Sequence, residues 1–286
     1  MMLAKEAFLK RFENGAHLLD CATGTMLMKA GMQRGCCMAE WVLLHPEVLV
    51  ALQKACAEAG SEIIYAPTFQ AQPVALAAYG LEHQTETINE MLAALSRKAT
   101  PECLIAGNMT TLRGFMDTAN EANLEQQIGE YRRQIRALVN GGTDLLAAET
   151  LLHPLEAKAV LQAAALENAT TVMISFAARA DGTLYSGHEL TEIMTELEAE
   201  GAAAVGVNCI AASDELSALI RKLRLSTQLP LICKPNAGRP ANDAYPVDES
   251  MFVRIMKDCI REGANLVGGC CGTTPKYLAA LKNSIA

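Results

Sequence analysis

Residues 128–148 read IGEYRRQIRALVNGGTDLLAA. Ile128, Tyr131, Ile135, Leu138 and Val139 recur at helical spacing, with Arg132, Arg133 and Arg136 off that stripe. The pattern predicts an amphipathic helix over Ile128–Val139 that buries one face. Asn140-Gly141-Gly142 then supplies helix C-cap chemistry, because glycine accepts the left-handed conformation that closes a last turn. Asp144–Ala148 follows, near-continuously apolar rather than alternating. That is the mark of a parallel strand covered on both faces.

The same unit recurs along the chain. Strand-like runs fall at His17–Cys21, Glu62–Ala66, Cys103–Asn108, Asp144–Ala148, Thr171–Phe176, Ala203–Asn208, Leu229–Lys234 and Asn265–Gly269. Other helices end at Ala59-Gly60, Glu200-Gly201 and Glu262-Gly263, just before the next strand. Eight βα units without a composition break predict a single-domain (β/α)8 TIM barrel over residues 1–286. A doubly wound open sheet is the competitor, but it rarely needs eight parallel strands. The longest irregular stretch is Pro235–Val247, PNAGRPANDAYPV, a length that inside a compact domain is often functional.

Composition narrows the function. The 286 residues are 51% hydrophobic and 20% charged, enough apolar material for a large core and incompatible with a disordered or collagen-like chain. The net charge of −8 offers no basic face for nucleic acid. No apolar run is long enough to span a membrane. Residues 1–12, with Lys5, Glu6, Lys10 and Arg11, lack the apolar stretch and cleavage pattern of a signal peptide, so a cytoplasmic location is expected. The ten cysteines then need an explanation other than disulfides.

Barrel chemistry sits where the strands end. The ends read Asp20-Cys21-Ala22-Thr23-Gly24-Thr25, Pro67-Thr68-Phe69, Asn108, Glu149-Thr150, Tyr185-Ser186-Gly187, Asn208-Cys209, Lys234-Pro235-Asn236 and Cys270-Cys271. Three cysteines, Cys209, Cys270 and Cys271, thus share one rim, and Gly268, Gly269 and Gly272 permit a sharp turn there. Three thiolates suit zinc, and three protein ligands leave the fourth position open, as in a catalytic site. On spacing alone, two other readings stay open: cysteines packed as small hydrophobes, and a phosphate loop formed by GGCCGTTP. The other vicinal pair, Cys36-Cys37, lies in a loop with no strand before it and reads as incidental. The histidines do not cluster; His188, after Ser186-Gly187, is the one expected to face the pocket. Trp41 either anchors a loop or lines a cation–π cage for a methylated donor.

The motifs DCATGT, PTFQA, AAET, GVNC, PNAGRP and GGCCGTTP, in this order over roughly Leu18 to Leu281, resemble the homocysteine S-methyltransferase family. PNAGRP followed by AYPV looks most like the homocysteine-binding domain of cobalamin-dependent methionine synthase. The resemblance implies a zinc-dependent barrel. Cys209, Cys270 and Cys271 would be the Zn2+ ligands. Asp20 and Glu149 would surround the homocysteine amino group, the turn Ala22, Thr23, Gly24 and Thr25 would hold its carboxylate through backbone N–H groups, and Asn208 would support the neighbouring ligand. No catalytic side chain is expected beyond the zinc-activated substrate thiol, which becomes the nucleophile once deprotonated.

The chain departs from the family at Cys21 (glycine in the family), Pro67 (asparagine) and Thr110-Thr111 (Gly-Pro). These positions bear on the pocket, not on the zinc ligands. The expected activity is methylation of homocysteine to methionine by a methylated corrinoid, methylcobalamin carried by a separate partner protein. An S-methylmethionine- or betaine-type donor is the enzymatic alternative. A non-catalytic zinc-binding scaffold is the alternative of another class.

Overall fold

The computed structural model describes residues 2–240 and 244–285. Residues 241–243, inside the Pro235–Val247 loop, lie outside the described residues. The strands are β1 (His17–Leu18), β2 (Ile63–Tyr65), β3 (Leu104–Thr110), β4 (Leu145–Leu151), β5 (Val172–Phe176), β6 (Ala204–Ala211), β7 (Leu231–Asn236) and β8 (Leu266–Val267). The helices that precede or surround them are α1 (Lys5–Phe12), α2 (Thr23–Lys29), α3 (Met38–Leu44), α4 (Pro46–Glu58), α5 (Pro73–Ala77) and α6 (Thr85–Ala99). They continue as α7 (Leu124–Asn140), α8 (Pro154–Leu166), α9 (Leu190–Ala199), α10 (Leu216–Arg224), α11 (Glu249–Arg261) and α12 (Pro275–Ile285).

All eight strands pair in parallel in the order β1-β8-β7-β6-β5-β4-β3-β2. The ring is nearly closed: between β1 and β2 the Glu62 N–H donates to the Leu18 carbonyl at 2.7 Å, and the Tyr65 N–H to Asp20 Oδ2 at 3.0 Å. This is a (β/α)8 barrel, with each expected strand in place. β1 and β8 are shorter than their apolar runs, yet the chains stay paired beyond them: the Leu19 N–H donates to the Val267 carbonyl at 2.8 Å and the Gly269 N–H to the Asp20 carbonyl at 3.1 Å. The approach is close, and a Cβ on Gly268 would lie 2.8 Å from the Asp20 carbonyl oxygen.

The apolar runs do not alternate because both faces are buried. Leu145 and Ala147 of β4 join the inner cluster with Phe8 and Phe12 of α1, Ile63 and Ile232. Leu146 and Ala148 join the outer layer with Ile135 and Leu138 of α7. α1 thereby plugs the end of the barrel opposite the strand C-termini. Two glycines set the strand and helix spacing. A Cβ on Gly107 would meet Leu138 Cδ1 at 2.9 Å, and one on Gly206 would meet the Ile232 carbonyl oxygen at 2.1 Å. The helix expected over Ile128–Val139 is α7, and the residue that turns left-handed after it is Gly142, φ 83°. Among the described residues no helix is long and apolar enough to cross a membrane.

Candidate active site

The strand C-termini open into a cavity of about 190 Å³ whose wall includes Thr25, Phe69, Asn108, Glu149, Lys234 and the three rim cysteines. That is room for about six waters at roughly 30 Å³ each, the scale of one small amino acid.

The sulfur atoms of Cys209, Cys270 and Cys271 lie within 4.8 Å of one another, with Cys209 Sγ 2.9 Å from Cys270 Sγ. Among the described residues this is the one His/Cys/Asp/Glu group with metal-holding geometry. Local backbone makes it so. Cys209 has φ 53° and Thr150 has φ 61°, the left-handed region that non-glycine residues rarely occupy. Both lie where the strand register slips, between Ala148 and Leu151 of β4 and between Asn208 and Ala211 of β6. A bulge re-aims a side chain that a regular strand would bury in the wall.

The second half of the trio depends on glycine. A Cβ on Gly269 would lie 2.2 Å from Thr273 Oγ1, and Gly272 sits at φ 84° with the Tyr245 ring 2.2 Å from where a Cβ would be. The Cys270 N–H donates to the Pro235 carbonyl at 2.7 Å, and the Thr273 hydroxyl to the Cys270 carbonyl at 2.8 Å. Hydrogen bonds from Cys209 and Cys270 push the Cys271 thiol down to about 3, and the Tyr245 hydroxyl adds to that shift. The hydrogen bond shared with Cys270 holds the Cys209 thiol well above its ordinary range. Cys270 is raised as well, so the thiolate character of the trio is concentrated on Cys271. A tetrahedral zinc with bonds of about 2.3 Å sets its sulfurs roughly 3.8 Å apart, within the span seen here. Three soft donors with one side open to the cavity fit zinc.

Beside the sulfurs lies a charged cluster. Asp20, Glu149 and Lys234 are 3%, 7% and 4% exposed. Lys234 Nζ is 2.9 Å from Asp20 Oδ1, 3.4 Å from Glu149 Oε2 and 4.1 Å from the centre of the Tyr65 ring. Asn108 Nδ2 donates to Glu149 Oε1 at 2.9 Å. Burial pushes the Asp20 carboxyl up to about 6 against the pull of Lys234, and it raises Glu149 in the same way. Burial opposes the Lys234 ammonium, yet the Asp20 and Glu149 charges hold its pKa well above the ordinary range. The two partners differ because the lysine has two carboxylates beside it, whereas each carboxylate has one ammonium.

The residues expected from the sequence are arranged as follows. Glu149, Asn208 and the turn Ala22–Thr25 come together with the cysteines. Asn208 supports Thr150, the neighbouring strand end, as well as its own. The Ala22 N–H already donates to Thr273 Oγ1 at 3.3 Å. Asp20 belongs to the cluster but stands behind Lys234, not on the cavity wall. His188 does not face the cavity. After β5 the chain makes an excursion, bridged between Thr183 and Glu189, that carries His188 outward. There its ring meets that of His153 edge-on at 4.8 Å. Trp41 lies within α3, stacks on His45 at 4.3 Å and packs against the cluster of Leu27, Val42 and Leu49; it is not on the cavity wall. Cys21 lines the cavity and packs its sulfur 3.3 Å from Cys56 Sγ, while Cys36 is exposed and Cys37 starts α3. Lys234 and Asn108 are cavity residues that sequence reasoning did not single out. Both stand at strand ends, and that position was the available signal.

The family model described as homocysteine S-methyltransferase matches residues 17–285. The chain belongs to the homocysteine S-methyltransferase family. Among solved structures, the homocysteine methyltransferase MmuM of Escherichia coli in its metallated form superposes with a TM-score of 0.83 at 27% identity, covering 95% of this chain and 96% of that one. The oxidized form of MmuM gives 0.83 at 27% identity over 98% of both chains. The carboxyl transferase domain of Rhizobium etli pyruvate carboxylase, at 16% identity and TM-score 0.57 over 98% of this chain and 50% of that one, shares the fold alone. As a homocysteine S-methyltransferase, the protein is an enzyme that transfers a methyl group to a thiol, and homocysteine is the acceptor that fits the family.

Proposed function

We propose that the enzyme is zinc-dependent, with Cys209, Cys270 and Cys271 as ligands, and that its methyl donor is a methylated corrinoid carried by a separate protein. The observation that carries the zinc reading is the sulfur trio itself, three donors within 4.8 Å with a side open to the cavity. Zinc held by these three cysteines would lower the acceptor thiol's pKa, so that its proton passes to solvent at neutral pH and the sulfur stays nucleophilic.

The chain does the rest. Glu149 and the backbone around Ala22–Thr25 orient the amino-acid head, so the sulfur reaches the cysteines end-on. Met28, Met38 and Phe69 on the wall thin the water around the sulfur, which strengthens every charge interaction inside. The S–C bond forms as the donor's bond to its methyl carbon breaks, and that bond's electron pair stays with the donor.

The donor reading rests on the surface outside the cavity. A groove of about 830 Å³ shares Thr25 and Met28 with the cavity and is bordered by Lys29, Pro240 and Tyr245. It is far larger than a small donor needs. Lys29 and Glu249 both border it, so the groove is not an anionic or aromatic cage built for a methylated cation, and Trp41, the cage candidate, lines neither the groove nor the cavity.

The test is metal analysis of protein purified under reducing conditions, with Cys209→Ser and Cys271→Ser beside it. Methyl transfer is then assayed with methylcobalamin, a methylated corrinoid protein, S-methylmethionine and betaine. About one zinc per chain, lost in the variants, with turnover of the corrinoids, is the expected result. Turnover of S-methylmethionine or betaine without any protein partner would replace the donor. Tight zinc without any thiol response would leave a scaffold.

A further inference from the structure

Each sulfur of the trio meets a donor from outside the trio. The Thr150 hydroxyl, at the end of β4, donates to Cys209 Sγ at 3.8 Å. Asn208 Nδ2, on β6, donates to Cys270 Sγ at 4.0 Å. The Tyr245 hydroxyl hydrogen-bonds Cys271 from the loop after β7. Two of these donors are chained. Asn208 Nδ2 also donates to Thr150 Oγ1, which leaves the threonine proton for the sulfur.

Tyr245 is held in place by the backbone around it. Its ring fills the space that a Cβ on Gly272, the residue after Cys271, would take. The Val247 N–H donates to the Ala237 carbonyl at 3.1 Å, and the Ala237 N–H to the Cys271 carbonyl at 2.9 Å. The Tyr277 hydroxyl donates to the Val247 carbonyl at 2.8 Å. Tyr245 lines the large groove and not the cavity. It therefore meets Cys271 from the groove, the side on which the methyl donor is proposed to dock.

Methyl transfer at such a centre has a selectivity problem. A metal-held cysteine is itself a thiolate, the same functional group as the activated acceptor. An electrophilic methyl group at the barrel mouth meets the cysteine sulfurs as well as the acceptor's. A hydrogen bond to a thiolate stabilises the anion and lowers its nucleophilicity. The sulfur–sulfur hydrogen bonds within the trio need thiol protons, which are lost when a metal is held. The bonds from Thr150, Asn208 and Tyr245 carry their own protons and persist on the thiolates.

We propose that Thr150, Asn208 and above all Tyr245 are positioning residues that decide which sulfur is methylated. Each blunts one cysteine ligand, and the acceptor sulfur is left as the strongest nucleophile at the centre. Tyr245 guards Cys271 on the donor's side. The inference rests on the zinc and thiol-methyltransferase readings above and adds to them the groups that keep the enzyme from methylating itself.

The test treats protein purified with its metal, without acceptor, with iodomethane, and follows each methylated cysteine in time by peptide mass spectrometry. The cysteine sulfur bonds to the methyl carbon as the C–I bond breaks, and iodide leaves with the electron pair. Cys36, exposed and lining neither groove nor cavity, is the internal clock. Tyr245→Phe keeps the ring on Gly272 and loses the hydroxyl. It should retain its zinc and be methylated at Cys271 about tenfold faster than wild type relative to Cys36, with Cys209 and Cys270 within about twofold, the scale of one hydrogen bond to a charged group. Thr150→Val should move the gain to Cys209 and leave Cys271 at the wild-type rate. A general loosening of the metal cannot produce that crossed pattern. Equal acceleration of all three cysteines in Tyr245→Phe, or of none, overturns the proposal while the zinc reading stands. Wild-type protein without zinc overturns the zinc reading and this proposal with it.

Discussion

Asn208 and Thr150 hold each other across the barrel mouth. The Thr150 N–H donates to Asn208 Oδ1 at 2.7 Å, and Asn208 Nδ2 donates to Thr150 Oγ1 at 2.7 Å. The Ser175 hydroxyl of β5 joins at 3.0 Å, so one amide ties β4, β5 and β6 together. Thr150 is left-handed, and so is Cys209, the residue after Asn208. The amide therefore anchors both strained positions beside the sulfur trio.

Asn208→Ala should lower zinc affinity by about 10–100-fold, as loss of a support behind a metal ligand does, while the barrel still folds. Competition with a chromophoric chelator measures the first, and far-UV circular dichroism the second. Equal zinc affinity in variant and wild type would break the link between the clamp and the trio.

Gly206 faces the Ile232 carbonyl with no room for a methyl group. Gly206→Ala forces β6 away from β7, and the obstacle is backbone, which cannot rotate aside. The expected loss exceeds about 4 kcal/mol, read from the urea midpoint or seen as insoluble expression. A soluble variant within about 0.5 kcal/mol of wild type would show that the strands part easily.

The strands were legible because a parallel barrel buries both faces, which writes an unbroken apolar run such as Asp144–Ala148 into the chain. The sulfur trio was legible because Cys209, Cys270 and Cys271 each close such a run. Lys234 was not. A lysine after a strand reads as a solvated rim residue, and only ring closure brings β1, β4 and β7 close enough to bury it between Asp20 and Glu149. His188 misled for a related reason. Its distance in sequence from β5 is short, but the Thr183–Glu189 bridge spends that length going outward. The clamp was half visible: Asn208 could be expected to support its neighbour, while the left-handed turn at Thr150 has no glycine to announce it.

The Asp20 carboxyl titrates near 6 in the fold, against about 4 in an unfolded chain. Between these values the folded state holds a proton that the unfolded state has lost. The stabilising contribution is thus complete below about pH 4 and is lost as pH rises through about 6, a change of roughly 3 kcal/mol. Asn in its place does not titrate. Wild-type stability relative to Asp20→Asn should fall across that window, measured by denaturant unfolding at several pH values. A flat difference would mean that the pull of Lys234 cancels burial, and a rising one that it outweighs burial.

Removing zinc should not unfold the protein. The barrel core is built from side chains such as Phe12, Tyr131 and Leu146, and the trio belongs to none of its buried clusters. A chelator should lower the melting temperature by the linkage amount alone, with one cooperative transition kept. Loss of cooperativity on chelation would make the metal part of the core.

Phe8 and Phe12 stopper the barrel from below, packed against Ile63 and Ile232 of its inner wall. Acceptor and donor therefore use a single doorway, and the acceptor's place is at the back of the room. This imposes a queue. The acceptor must enter first, and the methylated product stays trapped until the spent donor has backed out. Initial-rate patterns should be those of a compulsory order, with excess donor inhibiting by standing in the doorway before the acceptor arrives.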